Sequence, residues 1–311
     1  MQHKEADVYD ESHNPLPFYG SSDVHKKFTF KCRNKTLMLH ERTHIMGILN
    51  LTPDSFHDGG RYPDKDSALR HADAMIEGGA DIIDIGGEST RPGSAGVSDE
   101  EELGRVMPVL REIAKRFDTV LSIDTTKERV AREALSEGAS IVNDISGLTY
   151  SSGIAEAVSE YGAGLIVMHT PSRPIDMQEK TRYASLMDDI AGSLRASVEK
   201  ALRAGVSRES IMIDPGFGFG KTAAQNLRIL RELAMLTGIG MPVMIGTSNK
   251  SFIGKAAGSG TEERLFGTAA TVAIGILNGA SVVRVHDVAR MRSAVRMADA
   301  VAGKNYSGAE G

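Results

Sequence analysis

The chain has 311 residues, is 41% hydrophobic, carries a formal net charge of −5 and contains one cysteine, Cys32. That length and apolar fraction suffice for one large core, and an acidic balance with pI near 6.0 excludes a general nucleic-acid or membrane-surface binder. A lone cysteine excludes an internal disulfide, no apolar run approaches the roughly 18 residues of a membrane span, and the N-terminus lacks the apolar stretch of a signal peptide, so a cytoplasmic protein with neither nucleic-acid nor membrane partners is expected.

In chain order, residues 1–25 are polar and aperiodic and read as a flexible leader. Residues 27–41, within an N-terminal segment 26–44, read as a hairpin: Phe28, Phe30 and Cys32 alternate, Arg33-Asn34-Lys35 turns, and Leu37 and Leu39 alternate. Eight short apolar runs follow, at 45–50, 81–87, 120–124, 140–144, 164–169, 211–214, 242–248 and 281–286. Each is too short for a helix and too evenly apolar for a strand with one wet face, which is the signature of strands buried on both faces of a parallel sheet. Between them helices are predicted over 65–78, 99–116, 127–137, 153–161, 183–204, 223–236, 262–278 and 287–302. Gly79, Gly138 and Gly279 each precede an alanine and lead into a strand, where a helix C-cap favours a positive φ. The pattern predicts an α/β protein, a (β/α)8 barrel spanning 26–305 as one domain, with the hairpin plugging the barrel bottom and a flexible tail at 306–311.

In that architecture chemistry collects at the strand C-termini. The residues there are Asn50, Asp84, Glu88, Asp124, Asn143, Asp144, His169, Asp214, Ser248, Lys250, Arg284 and His286. Asp124, Asn143 and Asp214 form an acceptor-rich set suited to a planar ligand edge with adjacent N–H donors, such as a 2-amino-4-oxo-pyrimidine; capping of the following helices is the alternative. The segment from Asp214 to Thr222 ends in Gly-Lys-Thr. A phosphate-binding P-loop would need glycine where Pro215 stands, and a dinucleotide fingerprint would need glycine at Lys221. The glycines instead suit a loop passing close to a flat ligand, with Phe217 or Phe219 as a stacking face. Arg284 and His286 alternate on one strand and with Asn50 suit a diphosphate and its divalent cation; ion pairing with the aspartates is the alternative. Residues 52–62 and 89–96 read as loops at the barrel mouth.

These words resemble the dihydropteroate synthase family. The resemblance is carried by Met46-Gly-Ile-Leu-Asn-Leu-Thr-Pro-Asp-Ser-Phe56, Asp84-Ile-Gly-Gly-Glu-Ser-Thr-Arg-Pro-Gly93, Ser122-Ile-Asp-Thr125, Asn143-Asp-Ile145, Asp214-Pro-Gly-Phe-Gly-Phe-Gly-Lys221 and Arg284-Val-His-Asp287. It implies condensation of 4-aminobenzoate with 6-hydroxymethyl-7,8-dihydropterin diphosphate to dihydropteroate and diphosphate, in folate synthesis. It further implies Mg2+ as cofactor, a site that sulfonamides target, and a homodimer. By the same resemblance Asp124, Asn143, Ile145, Met168, Asp214, Phe219, Gly246 and Lys250 surround the pterin. Asn50, Thr90, Arg284 and His286 meet the diphosphate, with Asn50 also on Mg2+. Phe56, Thr90, Arg91, Pro92, Phe219 and Ser248 line the aminobenzoate pocket, and Asp58 arrives with Phe56 on the first loop. Asp124, Lys250, Asp214 and Asp58 are the expected catalytic residues.

Two departures stand out: Asn249 replaces the arginine the family usually has before Lys250, and residues 169–174 form a variant loop. Two rival readings use the same barrel. A methyltetrahydrofolate:corrinoid methyltransferase-like enzyme shares the Asp/Asn/Asp set but has no use for a diphosphate site, and a catalytically idle pterin-binding barrel needs no turnover.

Overall fold

The structure is a computed structural model, and it describes residues 27–52 and 65–304. A short antiparallel hairpin, β1 (Phe30–Cys32) and β2 (Lys35–Leu37), opens the chain. Arg33 takes the left-handed conformation (φ 59°) that closes its turn. Eight parallel strands then close into a barrel: β3 (His44–Asn50), β4 (Ile82–Gly86), β5 (Val120–Asp124), β6 (Ile141–Asp144), β7 (Gly164–Met168), β8 (Ile211–Asp214), β9 (Val243–Ile245) and β10 (Ala280–Val285). β10 pairs with β3 to complete the circle. The helices α1 (Lys65–Glu77), α2 (Asp99–Arg116), α3 (Glu128–Ser136), α4 (Gly153–Tyr161), α5 (Leu186–Arg203), α6 (Ala223–Arg231), α7 (Ala234–Thr237), α8 (Ser251–Ala257), α9 (Thr261–Leu277) and α10 (Val288–Val301) occupy the connections.

Strand alternation explains how one chain builds both a core and a site. Met46, Ile82, Val120, Ile141, Ile166, Met212, Met244 and Val282 point inward and pack with Phe30, Cys32 and Leu39 of the hairpin segment. This is the expected plug at the barrel bottom. Two residues further along the strands the same inward face carries Asp84, Ser122, Asn143, Met168, Asp214, Gly246 and Arg284, because side chains repeat every second residue. The intervening residues, among them Ile83, Leu121, Val142, Leu165, Ile213, Val243 and Val283, face outward into the large core beneath the helices. An apolar layer therefore seals the bottom, and a polar layer sits on top of it.

Two predicted elements differ, and one helix has no predicted counterpart. The strand expected over 242–248 is confined to Val243–Ile245, because Lys250 N bonds back to Thr247 O at 3.2 Å and Asn249 is left-handed (φ 58°). The helix expected over 223–236 is two, α6 and α7. The short α8 has no counterpart in the predicted elements; with Gly254 inside and Gly258 at its end, it carries little helical signal. Gly79, Gly138 and Gly279 all adopt positive φ (99°, 117° and 100°), as the strand-entry pattern predicts.

Candidate active site

The mouth of the barrel holds a pocket lined by Thr90, Asp124, Asn143, Ile145, Met168, Asp214, Phe217, Phe219, Gly246, Lys250 and Arg284. All eight residues expected around a flat ring are among them. Ile145, Met168 and Phe219 form an apolar wall with Met177 behind it. Phe217 also faces the pocket but is fixed from outside by Phe252, ring centroids 6.1 Å apart.

The polar floor is a charge cluster. Arg284 donates from Nε to Asp84 Oδ2 at 2.6 Å and from Nη2 to Asp124 Oδ2 at 2.7 Å. Asn143 Nδ2 donates to the same Asp84 oxygen at 3.0 Å, and its own Oδ1, buried, has no hydrogen-bond partner among the described residues. Asp214 accepts from Gly216 N at 2.7 Å. Burial pushes the Asp124 carboxyl up to about 7; Arg284 opposes this, and Asp84 adds to it. Burial likewise raises Asp214, against the Gly216 N–H and the nearby cations. Lys250 is lowered to about 8, first by burial and then by Arg284. For Arg284 itself the carboxylates of Asp84 and Asp124 outweigh the cost of burial, so it stays a cation. Lys250 Nζ lies 4.4 Å from the centroid of the Phe219 ring, a cation–π contact that helps to keep an ammonium beside an aromatic face.

On the rim, Ser248 Oγ and His286 Nδ1 are 3.0 Å apart. Burial, then Arg284, lowers His286 to about 4, so at neutral pH it is an uncharged ring. Asn50 ends β3 with its side chain toward β4: a Cβ on Gly86 would meet Asn50 Oδ1 at 3.8 Å and Asp124 Cβ at 3.5 Å. Among the described residues no group of three or more His, Cys, Asp or Glu could hold a metal by itself. A single carboxamide oxygen at the mouth does fit an Mg2+ whose other ligands are substrate phosphates and water.

The loop after β4 carries Thr90 into the pocket, while Arg91 and Pro92 are exposed at its edge. Ser94 Oγ bonds Ser89 O (2.6 Å) and Arg91 O (2.7 Å), and Gly93 N bonds Pro174 O (3.0 Å). Phe56 and Asp58 lie outside the described residues.

Asn50, Asp84, Ser248 and His286 border the pocket lining without belonging to it, and three further strand-end residues are engaged elsewhere. Asp144, next to Asn143, points the other way and accepts from Ser146 N (2.8 Å) and Leu148 N (2.7 Å); it caps a turn. Glu88 pairs with Lys127, which also reaches the fully buried Glu102. His169 is buried beside Lys221, its Nδ1 3.0 Å from Nζ, and burial lowers it to about 3. Ion pairing, the alternative for Arg284, is present, though buried within the site rather than solvated. Asp84 is a strand-end residue but belongs to none of the expected binding sets; its inward parity on β4 is the signal that could have found it.

A profile of the family described as "Pterin binding enzyme" matches residues 46–286. The chain is 45% identical over 272 residues to dihydropteroate synthase of Clostridium beijerinckii, covering 87% of this chain and 98% of that one. Among solved structures, Yersinia pestis dihydropteroate synthase in complex with a sulfonamide drug superposes with a TM-score of 0.83 at 41% identity, covering 89% of this chain and 100% of that chain. Xanthomonas albilineans dihydropteroate synthase with 4-aminobenzoic acid gives 0.82 at 37% identity, covering 89% and 98%.

Proposed function

The chain belongs to the dihydropteroate synthases, a family of pterin-binding transferases, and from that premise we propose that its pocket joins 4-aminobenzoate to 6-hydroxymethyl-7,8-dihydropterin diphosphate. The observation that carries the assignment is the convergence of Asp124, Asn143, Asp214 and Lys250 on one pocket, with Asn143 Oδ1 buried and unpartnered among the described residues. A buried acceptor without a donor is costly, and a pterin N–H satisfies it.

The carboxylates of Asp124 and Asp214 hold the pterin edge and stabilise positive charge as it develops on the ring and its methylene carbon. Breaking the methylene C–O bond sends the electron pair to the diphosphate, which Arg284 and the neutral, hydrogen-bonding His286 receive beside Asn50. The aniline lone pair of 4-aminobenzoate, held near Thr90, Arg91, Pro92, Phe219 and Ser248, forms the new C–N bond, and the nitrogen proton leaves to solvent or to the departing diphosphate. No covalent protein intermediate is required, so positioning and charge stabilisation carry the rate. Mg2+, when bound with Asn50 as a protein ligand, supplies further neutralisation of the diphosphate oxygens.

Sulfonamides are proposed to compete for the aminobenzoate position. We also propose a cytoplasmic homodimer. No helix among the described residues is long and apolar enough to cross a membrane. Phe266 on α9 and Met297 on α10 are 67% and 68% exposed and supply apolar surface for a second copy.

The deciding experiment is diphosphate release from the pterin diphosphate, with and without 4-aminobenzoate and with and without Mg2+. Release that depends on both supports the synthase. Binding without release points to an idle barrel, and methyl transfer from a methylated folate without diphosphate chemistry points to the methyltransferase.

A further inference from the structure

The loop between β8 and α6 is shaped by a buried lysine that the reaction does not use. Lys221 is 4% exposed and makes no ion pair among the described residues. Its Nζ lies 2.9 Å from Gly216 O, 2.9 Å from Phe219 O, 3.4 Å from His169 O and 3.0 Å from His169 Nδ1. Burial lowers the Lys221 amine to about 7, with Asp214 opposing, and where Nζ donates to Nδ1 the imidazole proton is on Nε2. The loop is compressed between this amine and the segment after β7. A Cβ on Gly216 would lie 2.0 Å from His169 O, and one on Gly220 would lie 2.2 Å from Pro171 Cγ; both residues have positive φ (73° and 58°). Outside, Tyr183 donates its hydroxyl to Gly220 O at 2.9 Å.

We propose that Lys221 is a positioning residue for the pterin face of the site. Its amine donates to the carbonyls of His169, Gly216 and Phe219 behind the loop and thereby fixes the Phe219 ring, on which Lys250 packs. Tyr183 is the second brace of the same loop. The variant segment 169–174, which the family resemblance left without meaning, is on this reading the surface against which the loop is held. The inference rests on the pterin assignment of the pocket.

The test compares Lys221→Met with Lys304→Met. Lys304 is also buried (8% exposed) but bonds Thr43 Oγ1 at 3.0 Å, at the N-terminal end of β3, away from the pocket. Each change keeps the apolar stem and removes a buried amine; at Lys304 it also removes a 3.6 Å ion pair with Asp299. Three quantities are measured for both variants: the melting temperature, the pterin diphosphate Kd, and the aminobenzoate KM at saturating pterin diphosphate. Both variants are expected to melt earlier. Only Lys221→Met should raise the pterin diphosphate Kd, by about tenfold or more, with the aminobenzoate KM within about twofold. A wild-type Kd in Lys221→Met, or an equal rise in both variants, overturns the proposal. Should Lys221→Met not fold, Tyr183→Phe decides: a rise of about twofold to fivefold supports the brace and an unchanged Kd overturns it. If the wild-type protein binds no pterin diphosphate, the pterin assignment fails first, and the proposal with it.

Discussion

Nη2 of Arg284 donates to Oδ2 of Asp124 at 2.7 Å, so the cation proposed for the diphosphate is tied directly to a carboxylate proposed for the pterin. On the proposed function the two halves of the substrate are read by one buried charge cluster, which Asp84 completes from below.

Breaking that cluster has two separable effects. Asp124→Ala should abolish turnover and weaken pterin diphosphate binding at least tenfold. Asp84→Asn leaves the pterin contacts in place but removes one of the two charges that orient Arg284. It should lower kcat more than it raises the pterin Kd. Because Asp84 is fully buried beside an arginine, it should also cost about 3 kcal/mol in urea unfolding. A variant with wild-type unfolding midpoint and kcat would show that Asp84 is a bystander.

The pH dependence follows from two shifts. Asp124 is raised to about 7, so its ionised, accepting form grows as pH rises through 7. Lys250 is lowered to about 8, so its ammonium is lost above that. The Kd for the pterin diphosphate should therefore be tightest between the two, weakening on the acid side near 7 and on the alkaline side near 8. His286, lowered to about 4, stays neutral across this range and contributes neither limb. Stability of the free protein has the opposite acid dependence. Between the usual carboxylate range and about 7 the folded state keeps a proton on Asp124 that the unfolded chain has lost, so this group's contribution falls as pH rises. Calorimetric titration over pH 5.5–9.5, as a rough working range, checks the profile; a flat Kd contradicts the assignment.

Ser248 and His286, proposed to meet the aminobenzoate and the diphosphate, are coupled through a 3.0 Å contact. Ser248→Ala removes the hydroxyl that orients the ring. A loss of roughly fivefold in kcat/KM is expected, on the order of 1 kcal/mol. Arg91→Ala, at the exposed rim, should act differently, raising the aminobenzoate KM with kcat nearly unchanged. Steady-state kinetics on both variants separates the two patterns.

Asn249 is explained locally by its backbone. It sits at φ 58°, a conformation asparagine tolerates better than most residues. Asn249→Gly should leave the melting temperature close to wild type. Asn249→Val should lower it, because the left-handed backbone would carry about 1–2 kcal/mol of strain. Restoring the family's usual residue with Asn249→Arg should cost less than the valine and tighten pterin diphosphate binding. An arginine variant that binds no better would show that this chain has compensated elsewhere.

The sequence by itself determined the barrel. Apolar runs of four to seven residues, separated by helix-length segments, leave few ways to bury both faces of every strand, and the glycines at 79, 138 and 279 mark where helices give way to strands. It also placed Asp124, Asn143, Asp214, Lys250 and Phe219 together, since polar residues at successive strand ends share one mouth. The tertiary structure decided which neighbour points inward: on β6 Asn143 enters the pocket while Asp144 caps a turn, a difference of one residue in strand parity. It also decided the pairing of Asp84 with Arg284, 200 positions apart, and the burial of Lys221 under the loop it ends. Such contacts depend on barrel closure and register, which bring distant residues within reach and leave no periodic trace in the local sequence.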